Sequence, residues 1–237
     1  MQEFAAATSM EFFTFPTETS KETTMKLYYS PGACSLSPHI VMREAGLAFE
    51  PVMAPTKTHK LQDGTDYYTI NPLGYVPMLE LDDGTRLNQS LAIIEFLDQR
   101  YPQPPLVPED ALGRARVRSL ALLIACEIHP LNNLRALNYL RKDLGLLEEQ
   151  VNAWYRHWIA EGLAKLEAEL TQSPGAGSFC HGDAPTMADC CLVPQIFNAK
   201  RYNSDLAPYP VTMRVFESCM QLAAFDRAQP AKQPDAE

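Results

Sequence analysis

The sequence predicts a two-part fold, in which a small α/β domain is followed by an all-helical domain. Predicted strands and helices alternate as βαβ and then ββα in residues 25–100. Four prolines interrupt residues 101–110, and such a density indicates a stiff linker. Beyond the linker, apolar residues recur at helical spacing, which predicts an all-α domain.

Each element of the α/β part has a local signal. Met25 to Tyr29 is an apolar and aromatic run typical of a strand. Ser37 followed by Pro38 predicts a helix start, and Gly46 predicts its end. Ser90 opens a second helix. Three further short strands are expected at residues 49–53, 78–81 and 86–87.

The helical part contains four periodic stretches. They begin near residues 117, 154, 187 and 213, and the third opens with Thr186 and Asp189 in the spacing of a capping box. Residues from 228 onward are expected to form a loose tail. The domains are expected at residues 25–103 and 112–237, with a linker at 104–111 and a disordered extension at 1–24.

Composition excludes several classes of protein. The chain has a formal net charge of −9, so it lacks the excess of basic residues that nucleic acids or anionic membranes attract. No apolar run reaches the ~20 residues that span a bilayer. The six cysteines match neither a zinc site nor a dense disulfide scaffold, and no secretory signal is visible. We therefore expect a cytoplasmic protein with reduced thiols and no metal site.

One cysteine stands out by its position. Cys34 precedes the first predicted helix, and the N-terminus of a helix favours a thiolate. Cys34 to Ser37 reads as a C-x-x-C motif whose second cysteine is replaced, so a mixed disulfide with an external thiol is possible but an internal one is not. An inert buried thiol is the alternative. The other five cysteines are expected to be packing thiols.

Further candidates lie at turns and helix starts. Val76-Pro77 leads into a strand, and composition alone favours an ordinary trans proline there. Gln89-Ser90 opens a helix, whose N-terminus can bind a carboxylate or simply be capped by Ser90. Pro130 should kink its helix. The neighbouring His129 can stabilise a thiolate or donate a proton, while His129, Asn132 and Asn133 can instead satisfy the backbone groups that the kink frees.

These features together resemble the soluble glutathione transferases. The segment from Tyr28 to His39 (YYSPGACSLSPH) is similar to the N-terminal motif of the beta class. Residues 126–135 (CEIHPLNNLR) and 192–202 (LVPQIFNAKRY) are similar to the zeta class, which contains maleylacetoacetate and maleylpyruvate isomerases. The resemblance implies a thioredoxin-like N-terminal domain, an all-helical C-terminal domain, glutathione as cofactor and a homodimer.

The resemblance also implies roles for single residues. Cys34 would face the glutathione sulfur, with Ser35 nearby, and His129 completes the catalytic candidates. A cis Val76–Pro77 bond would present backbone groups to the tripeptide. The remaining candidates are Gln89, Ser90 and His59 for the two ends of glutathione, and Asn132, Asn133, Arg135 and Arg201 for a second substrate, with the arginines clamping the carboxylates of a cis-unsaturated dicarboxylate.

The chain departs from the zeta pattern at the first helix. Gly32 and Ala33 stand where zeta enzymes carry two serines, and Ser37 and His39 replace the usual arginines. Three hypotheses therefore stay open. They are a glutathione-dependent cis–trans isomerase, a beta-like transferase or thiol-exchange enzyme that uses Cys34 on electrophiles or mixed disulfides, and a non-catalytic glutathione-binding module.

Overall fold

A computed structural model describes residues 25–233, so the predicted extension at residues 1–24 lies outside the described residues. The strands in this range are β1 (Lys26–Tyr29), β2 (Glu50–Met53), β3 (Met78–Glu80) and β4 (Arg86–Asn88). The α-helices in this range are α1 (Leu36–Glu44), α2 (Ser90–Arg100), α3 (Ala111–Leu122), α4 (His129–Asn132), α5 (Leu134–Asn138), α6 (Glu148–Gln172), α7 (Met187–Arg201), α8 (Pro210–Met220) and α9 (Ala223–Ala228).

The four strands form one mixed sheet in the order β2-β1-β3-β4. Strand β1 runs parallel to β2 and antiparallel to β3, and β3 pairs antiparallel with β4. Side chains alternate between the two faces, as the pleat requires. Leu27 and Leu79, which are paired across β1 and β3, lie in the main core, whereas the neighbouring pair Tyr28 and Met78 packs against Tyr67 in a second cluster.

The order of strands and helices in the α/β part agrees with the prediction, but the start of α1 does not. Helix α1 begins at Leu36 with Ser35 as its N-cap, two residues earlier than predicted. Ser37 is buried in the first turn of the helix. The helix begins early because the Ser35 hydroxyl closes the preceding turn. Gly46, with a φ of +64°, follows the end of the helix as predicted.

The capping box at the start of α7 is confirmed, and it is fully buried. The Asp189 carboxylate accepts hydrogen bonds from the N–H groups of Thr186 and Cys180, both at 2.8 Å, and from the Thr186 hydroxyl at 2.7 Å. Burial raises the pKa of Asp189, although these hydrogen bonds oppose that shift. The carboxylate therefore ties α7 to the loop before it.

Near Pro130 the helix changes type. Helix α3 continues into a π-helical segment, Leu123–Ile128, and α4 follows with Pro130 in its first turn. Cys126, on the π-helical segment, is exposed, so its assignment as a packing thiol was wrong. The predicted loose tail was also wrong for its described part, because residues 230–232 form a 3₁₀ turn and Gln233 is buried.

Residues 25–233 contain neither a membrane-spanning helix nor a cluster of metal ligands. In this range no helix is long and apolar enough to cross a membrane. The same residues contain no group of three or more His, Cys, Asp or Glu side chains that is placed to hold a metal ion.

Candidate active site

The loop between β1 and α1 carries Cys34 and is closed by its neighbour. The Ser35 hydroxyl accepts a hydrogen bond from the Ser30 N–H at 3.1 Å and donates one to the Ser30 carbonyl at 3.2 Å. Ser35 is only 1% exposed. Both hydrogen-bonding functions of this hydroxyl are therefore occupied inside the loop, and the structure gives Ser35 a structural role rather than a place in the cleft.

Three segments that are distant in the sequence meet at Cys34. The Cys34 thiol donates a hydrogen bond to the Val76 carbonyl, with Sγ and O 3.4 Å apart. The Ser90 hydroxyl donates to the Cys34 carbonyl, also at 3.4 Å. Because Ser90 is the first residue of α2, the thiol lies close to the N-termini of both α1 and α2, where helix dipoles favour negative charge.

His129 provides the charged partner of this thiol. Burial raises the pKa of the Cys34 thiol. The interaction with His129, the Ser90 hydroxyl and a backbone hydrogen bond together outweigh burial, so the net pKa lies below the ordinary value. Burial lowers the pKa of His129, yet the interaction with Cys34 outweighs it, and the net pKa is raised. The two opposite shifts favour a thiolate–imidazolium pair.

The turn before β3 holds the backbone of Val76 beside Cys34. The Val76–Pro77 bond is cis, as predicted. The Tyr75 carbonyl accepts hydrogen bonds from the Tyr67 hydroxyl at 2.9 Å and the Asn71 amide at 2.8 Å, which fix the turn. Within residues 25–233 the Val76 N–H donates no hydrogen bond. Val76 is thus held beside Cys34 with a free backbone donor, as a peptide ligand would require.

The groups predicted for the two ends of glutathione lie on either side of this turn. Gln89 has a φ of +73° and is exposed, and its side chain does not cap α2, so the N–H groups of the first turn are open to an anion. His59 stacks on Tyr68 with ring centroids 4.5 Å apart, close to Gly74. The buried Nδ1 of His59 has no hydrogen-bond partner within the described residues.

The helical domain contributes two arginines, Arg201 and Arg135, to the surroundings of Cys34 and His129. Arg201, at the end of α7, donates a hydrogen bond to the Gly32 carbonyl at 3.3 Å, two residues from Cys34. Arg135 is exposed on α5, and its positive charge acts to lower the pKa of His129. Arg201 therefore contacts the Cys34 loop, and Arg135 lies within electrostatic range of His129.

The two asparagines hydrogen-bond to backbone groups, but not to those that Pro130 frees. Asn132 is buried and donates a hydrogen bond to the Tyr155 carbonyl at 3.4 Å. Asn133 accepts one from the Ala136 N–H at 3.2 Å and is the N-cap of α5. Asn132 therefore joins α4 to α6 and Asn133 caps α5, whereas the predicted role at the Pro130 kink is not seen and contact with a second substrate stays a prediction.

Sequence reasoning missed two residues that contact Arg201. Asn198 accepts a hydrogen bond from Arg201 at 2.6 Å, and the buried Tyr155 interacts with the same guanidinium through its hydroxyl. Asn198 lies three residues before Arg201, so the i, i+3 rule for helix neighbours was the signal available for it. Tyr155 comes from α6, and no local pattern pairs it with α7.

Comparison with known proteins agrees with this geometry. Models of the glutathione S-transferase N-terminal domain and C-terminal domain match residues 32–100 and 135–218. The chain belongs to the glutathione S-transferase family. A curated member, the maleylpyruvate isomerase of Ralstonia sp, is 48% identical over 181 residues, which cover 76% of this chain and 84% of that protein. The predicted family and fold class are therefore confirmed.

Two solved members of the family are also similar. The holo structure of a maleylpyruvate isomerase, described as a zeta-class bacterial glutathione S-transferase, has a TM-score of 0.84 and 43% identity and covers 90% of this chain and 100% of its own. The maleylacetoacetate isomerase of Anaeromyxobacter dehalogenans, with bound dicarboxyethyl glutathione and citrate, has a TM-score of 0.80 and 39% identity and covers 92% and 96%. Likeness to the zeta class thus extends over most of the chain.

Proposed function

We propose that this glutathione S-transferase is a glutathione-dependent cis–trans isomerase of the maleylacetoacetate or maleylpyruvate type. The observation that carries the proposal is that Arg201 hydrogen-bonds to the Cys34 loop while Arg135 acts electrostatically on His129, the partner of Cys34. The names of the similar proteins support the same reaction.

The residues around Cys34 fit glutathione. Val76 offers a free N–H to the backbone of the tripeptide, Ser90 and Gln89 offer a helix N-terminus to its γ-glutamyl carboxylate, and His59 lies toward the glycyl end. When bound, glutathione supplies a sulfur nucleophile that adds reversibly to a cis double bond. Its sulfur would lie near Cys34, where His129 and two helix N-termini favour negative charge.

The second substrate is recognised by charge. Each arginine can form a forked pair with a carboxylate, so two arginines select a dicarboxylate over a neutral electrophile. The raised pKa of His129 favours its protonated form, which can donate a hydrogen bond to a carbonyl oxygen that gains negative charge. The chain therefore binds, orients and stabilises charge, and the substrate atoms are only rearranged.

Purified protein should isomerise maleylpyruvate or maleylacetoacetate only when glutathione is present. Arg135→Ala and Arg201→Ala should each lower kcat/KM by about 10- to 100-fold, because a hydrogen bond to a charged group is worth about 1.5–3 kcal/mol. Arg100→Ala, at the exposed end of α2, is the matched control and should stay near wild type. A protein that is inert toward both substrates, or active without glutathione, would contradict the proposal.

A second activity, thiol exchange through Cys34, is favoured by the same thiolate–imidazolium pair. The Cys34 thiolate would attack one sulfur of glutathione disulfide, form a mixed disulfide and release one glutathione thiolate. Mass spectrometry after mild treatment with glutathione disulfide should find one adduct on Cys34, which Cys34→Ala abolishes and Cys126→Ala retains. Adducts confined to the exposed Cys126 would count against this activity.

We also propose that the protein is a homodimer, as the family resemblance implies. Large apolar side chains exposed at Leu73, Tyr75 and Leu112 offer contact surface to a second copy. Light scattering should give twice the 26.5 kDa of one chain, and a monomer at micromolar concentration would refute this. The cytoplasmic location remains a prediction from the cysteine pattern.

A further inference from the structure

The guanidinium of Arg201 is held by two hydrogen bonds from a single nitrogen. Its Nη2 donates to the Asn198 side-chain oxygen at 2.6 Å and to the Gly32 carbonyl at 3.3 Å. The second contact joins residues 169 positions apart and crosses from α7 to the Cys34 loop. A guanidinium has five N–H donors, so contacts through one nitrogen leave others for a carboxylate.

The backbone at Gly32 leaves room for this contact. Gly32 has a φ of +70°, and a Cβ placed on it would lie 2.5 Å from Nη1 of Arg201. A side chain at this position would therefore displace the guanidinium.

The groups that hold Arg201 are themselves fixed. Asn198 is 7% exposed and lies about one turn before Arg201 on the same face of α7. Tyr155 is 2% exposed, and its ring stacks on Tyr202 with centroids 3.5 Å apart and an interplanar angle of 9°. Because a buried contact restricts the rotamers of the long arginine side chain, binding a carboxylate costs less ordering entropy.

We infer that Asn198 is a positioning residue that aims Arg201 across the domain boundary at a carboxylate of the second substrate. The inference rests on the proposed function and deepens it, because it names the group that makes the clamp rigid. Asn198 acts through Arg201, whose guanidinium it contacts. Its loss should therefore raise the KM for the dicarboxylate and leave glutathione binding alone.

A double-mutant cycle tests this. Asn198→Ala should raise the KM for maleylpyruvate about 10-fold, equivalent to about 1.4 kcal/mol, with kcat and the KM for glutathione within about twofold of wild type. In the Arg201→Ala background, Asn198→Ala should add nothing, because both changes remove one function. Asn152→Ala, a half-buried asparagine on α6, is the matched control and should leave every constant unchanged.

The possible outcomes separate this inference from the proposed function. An Asn198→Ala effect that adds fully to that of Arg201→Ala, or that raises both KM values together, indicates a general packing role and overturns the inference. A dicarboxylate KM unaffected by Asn198→Ala overturns it while the isomerase proposal stands. If the wild type isomerises neither substrate, the proposed function fails. The same double-mutant cycle is then measured by calorimetry with succinate as the dicarboxylate. Non-additive losses of affinity support the inference, and additive or absent losses overturn it.

Discussion

Replacing His129 with alanine removes the main group that lowers the pKa of Cys34. Burial would then be opposed only by the Ser90 hydroxyl and a backbone hydrogen bond, so the pKa of Cys34 should rise. Cys191 shows the direction, because burial raises the pKa of that thiol to about 12 despite a hydrogen bond with Ser37. A hydrogen bond to a charged group is worth about 1.5–3 kcal/mol, so the thiolate fraction near neutral pH should fall about 10- to 100-fold.

Alkylation with iodoacetamide measures this fraction, since only the thiolate reacts. The rate at Cys34, followed by peptide mass spectrometry from pH 5 to 10, should reach its plateau at a higher pH in His129→Ala than in wild type. Exposed Cys126 is an internal reference whose rate should not change. The buried thiols, such as Cys180 and Cys190, should stay unlabelled if the variant is folded. Superimposable Cys34 profiles would refute the pairing with His129.

Three further predictions concern the framework of the site. Gly162→Ala should lower the free energy of unfolding in urea by about 1–3 kcal/mol, because the new Cβ would overlap the fully buried Ile128. An unchanged midpoint of the urea transition would contradict this packing. Asn71→Ala should raise the KM for glutathione several-fold at unchanged kcat, because the Tyr75 carbonyl loses one of the hydrogen bonds that fix the turn. A KM equal to that of the wild type would show that the turn does not need the Asn71 side chain. Asp189→Ala should lower the free energy of unfolding by about 2–4 kcal/mol, because three donors lose their buried acceptor. A variant that unfolds at the same temperature as the wild type would contradict this.

The local sequence determined the elements and several site positions. Turn residues, helix starts and periodicity are short-range signals. They predicted the succession of strands and helices along the α/β part, the capping box at Asp189 and the helix that Ser90 opens. The resemblance to glutathione transferases added the cis bond before Pro77 and the family itself. Short-range signals did not resolve Ser35 from Ser37 as the N-cap, because both are serines and a contact with Ser30 decides between them.

Tertiary structure alone decided which of these residues meet. Cys34 and His129 come from different domains, and Gly32 and Arg201 are 169 residues apart, so no periodicity in the chain relates them. The proximity of Gly32 and Arg201 follows from packing α7 against α1, which brings the end of α7 over the loop that precedes α1. The pKa of a thiol and the aim of a guanidinium depend on neighbours in space, and those neighbours exist only after both domains have folded together.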